Sequence, residues 1–377
     1  MSATFVDFHV IQTVPPSNMN RDDTGSPKSA VYGGVRRARV SSQAWKRATR
    51  LDFERTLDTT DLGVRTKRLG EVLVEEIGRQ APETGVDQRL EVTRALFKAI
   101  GIKLTPPRKA KEGALDESGY LLFLSHLQVQ ALARAAVAAL SSGEPLDKKT
   151  VQPLVKGQNS IDLALFGRMV AEVTDLNVDA SAQVAHAISV HAVETEFDYF
   201  TAVDDHKQDD AEEDAGAGMI GTVEFNSSTL YRYATVDVTG LAANLGDRVA
   251  ARRAVEAFAR SFVRSLPTGK QNTFANRTLP DAVVVVVRDD QPVNWVGAFE
   301  APVLAAGDGG RVREAAQALA TYAADVQKAY GGQPVATWVV GVGDRVDALD
   351  ALGERTSFDA LVAALGDLVA SRLPVVQ

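Results

Sequence analysis

Residues 28–50 hold seven cations, Lys28, Arg36, Arg37, Arg39, Lys46, Arg47 and Arg50, and no Asp or Glu. The chain of 377 residues is formally −8, so the remainder stands at −15. Lys and Arg gathered this way neutralise phosphates and release their counterions, which is the chemistry of a polyanion contact. A basic surface helix paired to acids elsewhere has the same composition, because charge runs are usually solvated faces. The Ser41 hydroxyl and the Gln43 amide add neutral donors. Just upstream, Asp22 and Asp23 form an acid pair, the residue type that holds a catalytic metal. A two-metal site needs more ligands, and the sequence places no second acid cluster or histidine to complete one. The pair is therefore read as orienting Arg21 and stabilising a turn. His186 and His191 are five apart, which is the wrong face on a strand or a helix. With no cysteine in the chain, no bound metal is expected. Residues 269–273 (GKQNT) resemble part of a phosphate loop but lack its leading glycine and follow a helix. Lys270 and Gln271 are read instead as further backbone or neighbour contacts.

The elements that must position these residues are legible in order. Gly33-Gly34 predicts a turn, residues 35–40 a short strand, and Ser41/Ser42 an N-cap opening a helix. A helix start offers free N–H groups and a positive dipole end to a phosphate. Lys46 and Arg50, i and i+4, share a face of that helix, with Arg47 adjacent. Upstream, residues 4–13 alternate, with Val6, Phe8 and Val10 on one side and Asp7, His9 and Gln12 among those on the other. That predicts a half-buried strand stopped by Pro15-Pro16. Residues 60–173 read as mostly helical, with apolar helical spacing over 69–77, 90–100 and 120–140. Residues 104–113 form a Pro- and Lys-containing loop, and 146–158 a second basic loop or short helix. Residues 182–193 fit helix or strand. Strand is favoured by the residues downstream, an acid-rich tip over 204–214 and an alternating run over 230–238, so the two flanks read as arms of a long hairpin. The acid-rich tip is most simply a solvated loop. Residues 250–266 predict an amphipathic helix, and 281–288, with five consecutive valines, a buried central strand. A helix over 311–330 and a weakly patterned tail close the chain. Without its insertions the order is β, α, β, β, α, β, an α+β arrangement of ferredoxin-like type and the skeleton of the RNA-recognition module. The exposed strand aromatics of that module are missing, so its sheet face is not the expected platform.

Composition bounds the rest. Hydrophobic content of 45% and charged content of 24% are those of a soluble globular protein. The start MSATFVDFHV lacks a signal peptide's basic region, and the longest apolar run, 282–287, is too short to span a bilayer. A cytoplasmic location and no membrane partner are expected. A pI near 5.3 argues against a general DNA-coating protein and fits a nucleic-acid contact confined to one groove. There is no P-loop and no cofactor is expected.

At Asn20-Arg21-Asp22-Asp23 with Gly33-Gly34, and at Arg36-Arg37-Ala38-Arg39-Val40-Ser41-Ser42-Gln43 running into Lys46-Arg47-Ala48, the chain resembles the CasC family, the backbone subunit of the type I-E CRISPR surveillance complex Cascade. The resemblance continues at Asp147-Lys148-Lys149, 162–169 (DLALFGRM), 185–188, 198–205 (DYFTAVDD), Gly221-Thr222, 231–234 and 269–273. It implies a ferredoxin-like palm with a helical fingers insertion and a β-hairpin thumb. Residues 1–59 would begin the palm, 60–180 form the fingers, 181–240 supply palm strands and thumb, and 241–377 the rest of the palm and a C-terminal segment. It implies a non-catalytic subunit that polymerises head to tail along the CRISPR guide RNA, beside other Cascade subunits, and presents the guide to a target DNA strand. Arg21, Lys28, Ser41, Gln43, Lys46, Arg47, Arg50, Lys270 and Gln271 would hold the RNA. Met169, on the palm, and the thumb segment Tyr199-Phe200-Thr201 would work as wedges that splay the guide at regular intervals, and Arg168 would also contact the RNA. Unstacking is cheapest where an apolar or aromatic side chain replaces the lost stacking. Lys148 and Lys149 match lysines that face target DNA. Val35 stands where relatives can carry Lys, and Tyr199 where they can carry Trp. The alternative is an RNA-guided, metal-dependent ribonuclease subunit using Asp22 or Asp23, by analogy with type III backbone subunits.

Overall fold

A computed structural model describes residues 3–107, 116–202, 219–305 and 310–373. The acid-rich tip at 204–214 and most of the loop at 104–113 lie outside the described residues. Contacts divide the chain into two units: Met1–Thr49 with Val184–Thr235 and Ala259–Ala364, and Arg50–Gln183 with Val236–Phe258 and Leu365–Gln377.

In chain order, β1 (Phe5–Ser17) precedes β2 (Ser29–Tyr32), β3 (Val35–Val40) and helix α1 (Ser42–Thr56). A mostly helical stretch comes next: β4 (Gly63–Thr66), α2 (Leu69–Gln80), α3 (Val86–Ile100), β5 (Leu104–Thr105), β6 (Glu117–Ser118), β7 (Leu122–Ser125), α4 (His126–Ser142), α5 (Lys148–Lys156) and α6 (Ile161–Phe166). Beyond it lie β8 (Ala182–Val184), β9 (Ala187–Ser189), β10 (Glu196–Ala202), β11 (Met219–Asp237), α7 (Val238–Leu245), α8 (Arg248–Arg264) and α9 (Gln271–Phe274). The chain ends with β12 (Ala282–Arg288), α10 (Val312–Tyr330), β13 (Ala336–Gly341), β14 (Glu354–Arg355) and α11 (Phe358–Arg372).

The first unit is built on a large mixed sheet in the order β14-β13-β12-β1-β11-β9-β3-β2, with β10 paired to β11. The valine run is its buried centre: β12 pairs β1 from Phe5↔Arg288 to Ile11↔Ala282, and β13 from Ala282↔Gly341 to Val287↔Ala336. Both faces of β1 are covered, contrary to the half-buried expectation. Phe8 meets Phe262 edge-on at 6.1 Å on one side. On the other, Ile11 joins Trp295, Phe299 and the Val312, Ala315 and Leu319 stripe of α10. Asp7 and His9 are therefore buried in core rather than facing water. Gln12 takes Val10's side by parity and accepts from buried Arg232. The Arg232 guanidinium is layered 3.8 Å from the Trp45 ring and 4.6 Å from that of Phe262, a core role for the YRYA block. Strand β1 also runs through Pro15 and Pro16 instead of stopping there. Its ladder with β12 ends at Ile11, so that side asks no N–H of either proline. The weakly patterned tail carries β13 and α11.

The flanks read as hairpin arms do pair, Leu230↔Ser189 and Tyr231↔Ile188, and the hairpin proper is β10 on β11, Glu196↔Phe225 to Ala202↔Met219. In the second unit α2, α3, α4 and α5 pack around Leu73, Ile77, Leu96, Phe97 and Leu132. The helical pattern expected over 120–140 begins as strand: Leu122–Ser125 is wholly buried and pairs β4. Ser125 then caps α4, accepting from the Gln128 N–H at 3.0 Å. Among the described residues no helix is long and apolar enough to cross a membrane.

Candidate nucleic-acid interface

In the first unit the cation strip is held together mainly by backbone hydrogen bonds and one asparagine side chain. The Asn20 carbonyl accepts from the Lys28 N–H at 2.9 Å, and its Oδ1 from the Ser41 N–H at 2.8 Å. The Lys28 carbonyl in turn accepts from the Arg39 N–H at 2.9 Å. One asparagine thus ties the 20–28 loop to the start of α1, with Lys28 beside Arg39. Inside the loop Asp22 Oδ1 accepts from Thr24 N and Oγ1 at 2.9 and 2.7 Å and from Ser26 N at 3.0 Å. The Thr24 hydroxyl, with these amides, holds the Asp22 carboxyl below its ordinary range. Asp22 therefore does the turn-stabilising work read from the sequence.

Ser41 Oγ accepts from the Ala44 N–H at 3.2 Å, capping α1. Gln43 and Arg47 are exposed on α1, as is Arg36 on β3, and Lys46 is half-buried. The turn before β3 is tight. Gly33, at φ +58°, lies where any Cβ would overlap the Glu300 carbonyl oxygen. Arg37 holds that contact from inside: buried, it donates to the carbonyls of Tyr32, Ser189, Phe299 and Glu300.

The GKQNT loop comes to the same place. Gly269 abuts the Met19 carbonyl so closely that only a hydrogen fits, and Lys270 adopts a left-handed conformation (φ 46°) opening α9. Lys270 and Gln271 thereby join the Asn18–Asn20 segment. Asn18 Nδ2 ties that segment to the hairpin, donating to the Glu224 carbonyl at 2.9 Å. Asn226 and Ser228 of β11 line a small polar groove with Asn20, Lys28 and Arg39.

On the hairpin, Tyr199 is 63% exposed and Phe200 37%. The two point to opposite faces of β10, and the Phe200 ring covers Gly221 directly across the ladder. Phe197, two residues before Tyr199 and 67% exposed, shares the Tyr199 face. Sequence reasoning passed over Phe197, although the period-two spacing in EFDYF marks it. The Thr201 side chain lies outside the described residues.

The remaining candidates belong to the second unit. Arg50 donates from Nε to Asp162, which is buried. Arg168 is also buried and donates to the carbonyls of Leu176, Phe123 and Val155 at 2.6, 3.1 and 3.0 Å, and burial pushes its guanidinium down to about 10. The structure thus spends buried Arg168 on internal acceptors, while Arg50, half-buried, holds Asp162 with part of its side chain still exposed. Met169, beside Arg168 in sequence, is 82% exposed. Lys148 and Lys149 stand exposed in the first turn of α5, which Asp147 caps through the Thr150 N–H at 2.8 Å. Among the described residues no group of three His, Cys, Asp or Glu is placed to hold a metal ion.

A family model described as CT1975-like protein matches residues 6–364. No curated protein matches the chain. Among solved structures, a chain of a "CRISPR RNA-guided surveillance complex, pre-nicking" is 37% identical with a TM-score of 0.85, over 97% of this chain and 100% of that one. A chain of a second "CRISPR RNA-guided surveillance complex" is 31% identical with a TM-score of 0.74, over 96% of this chain and 99% of that one.

Proposed function

The chain belongs to the CT1975-like protein family, and from that membership we propose that it is a CRISPR-guide-RNA-binding subunit of a Cascade-like surveillance complex. The observation that carries this reading is the gathering of cations on one loop-strand-helix segment. Lys28, Arg36, Arg39, Lys46 and Arg47 lie on or beside that segment, Arg36 and Arg47 exposed and the others half-buried, with Lys270 on the loop packed against Met19. A strip of this kind grips phosphates without reading bases.

The finer reading is that of a CasC-type backbone subunit of a type I-E complex. The order β12-β1-β11-β9, with α1 and α8 in the two crossovers, supports a ferredoxin-like palm. The second unit's helices would be the fingers, and β10 with β11 the thumb. Copies then stack head to tail along the guide, because a projecting hairpin needs a different surface to press against on the next copy, and such heterologous contacts generate rows. Exposed Phe197, Tyr199 and Met169 are the side chains suited to replace stacking where the guide is splayed. Lys148 and Lys149 would face the target DNA strand. The subunit is non-catalytic in this reading, since Asp22 spends its carboxylate on Thr24 and Ser26.

The test is native mass spectrometry of the chain on guide RNAs of increasing length, with chemical probing of the bound RNA and Mg²⁺ present. Copies rising in step with length, reactive bases at regular intervals and intact RNA are expected. One copy per RNA at every length sinks the backbone assignment. Cleavage that Asp22→Ala abolishes installs the ribonuclease instead.

A further inference from the structure

His186 is exposed between β8 and β9, and its Nδ1 accepts from the Ser42 backbone N–H at 3.2 Å. An amide N–H can only donate, so Nδ1 carries the lone pair and the ring proton sits on Nε2. Arg39 Nη1, 3.4 Å from the same nitrogen, enforces the same tautomer. Partial burial, then the charges of Arg39 and Lys28, push the imidazole pKa down, which keeps the ring neutral. A neutral, oriented donor therefore stands among the cations of the strip.

We propose that His186 is an additional RNA-contact residue, which donates its Nε2–H to a phosphate oxygen of the guide between Lys28 and Arg39. The proposal rests on the guide-RNA reading and adds a contact of different chemistry to it. A third cation at this point would repel Arg39 and Lys28, whereas a neutral donor gives a hydrogen bond at no such cost. The Ser42 N–H fixes the ring's orientation in advance, so little rotamer freedom is lost on binding. A neutral donor also displaces no counterion, and this separates it from its neighbours by experiment.

The experiment uses the whole chain with a labelled single-stranded RNA of mixed sequence, following affinity against salt for four variants. In His186→Asn the side-chain oxygen takes the place of Nδ1 and keeps the Ser42 bond, but the outward donor is gone. In His186→Gln the amide nitrogen takes the place of Nε2 and keeps the donor. Expected are an affinity loss of about three- to tenfold in His186→Asn and His186→Ala, the worth of one hydrogen bond, with the salt slope unchanged. His186→Gln retains most of the affinity, and Lys28→Ala lowers the slope by roughly 0.7. His186→Asn binding as tightly as wild type, a His186→Asn slope that falls as in Lys28→Ala, or His186→Gln as weak as His186→Asn each overturns the proposal. A wild-type chain that binds no RNA even at low salt overturns the guide-RNA reading itself, an outcome distinct from all of these.

Discussion

Arg50 Nε donates to Asp162 Oδ2 at 3.2 Å, joining residues 112 apart in the chain. The other carboxylate oxygen accepts from Ser160 Oγ at 2.7 Å and from the Gly63 N–H at 3.0 Å. Burial pushes the Asp162 carboxyl up, and Arg50 opposes it. Arg50→Ala would leave a buried carboxylate without its counter-charge, which costs about 3 kcal/mol. Urea unfolding should show that loss while the salt slope of RNA binding stays at the wild-type value. Arg47→Ala is the mirror case. Its exposed guanidinium should cost no stability, and its loss should lower the slope by roughly 0.7. A slope change in Arg50→Ala returns Arg50 to the RNA surface.

Asp7 sets a pH dependence of stability. Its oxygens accept from Tyr233 Oη and the Val293 N–H, both at 2.9 Å, yet burial dominates and pushes its pKa from 3.8 to about 6. The folded state then takes up this proton before the unfolded chain does. Stability from this group is therefore greatest at acid pH and is lost as pH rises through about 6. The unfolding free energy of wild type minus that of Asp7→Asn should be roughly 2 kcal/mol larger near pH 4.5 than near pH 7.5. A difference that is flat with pH would show that Asp7 titrates as it does in water.

Gly33 and Gly34 should respond differently to the same methyl group. Both have positive φ, +58° and +77°, but only at Gly33 does a Cβ overlap the Glu300 carbonyl oxygen, while Gly34 faces open space. Gly34→Ala should cost about 1 kcal/mol of left-handed strain. Gly33→Ala adds overlap with backbone that Arg37 holds in place, and should cost about 2–4 kcal/mol in total. Equal losses in thermal or urea unfolding would mean that the 33–34 turn stands clear of Glu300.

The hairpin separates stacking from support. Phe197→Ala with Tyr199→Ala removes the exposed aromatic face and should weaken RNA binding by about 1–3 kcal/mol for each stacked base, with little change in stability. Phe200→Ala removes the ring that shields Gly221, so its effect should fall on hairpin stability, read as faster amide exchange over β10 and the start of β11. Loss of RNA affinity in Phe200→Ala alone, with exchange unchanged, would reverse the assignment of the two faces.

The order of strands and helices was legible because each signal is local. A valine run, a Gly-Gly turn before a short strand, a serine cap and the amphipathic spacing of α8 each fix a few residues through near neighbours. The gathering of cations over 28–50 was equally plain, as was the turn role of Asp22, whose hydrogen-bond donors lie within four residues. The cover on β1 was not local. Asp7 and His9 look like a solvent face until α10 and Trp295, nearly three hundred residues on, close over them. The sorting of the cations was not local either. Arg37, Arg50 and Arg168 carry the same guanidinium as Arg36 and Arg47. Arg37 is turned inward by Ser189 and Phe299 and Arg168 by Phe123 and Val155, and half-buried Arg50 is held by Asp162, mostly acceptors far away in sequence. A cation's partner is whichever acceptor the fold brings within about 3 Å, and that distance exists only after the chain has folded.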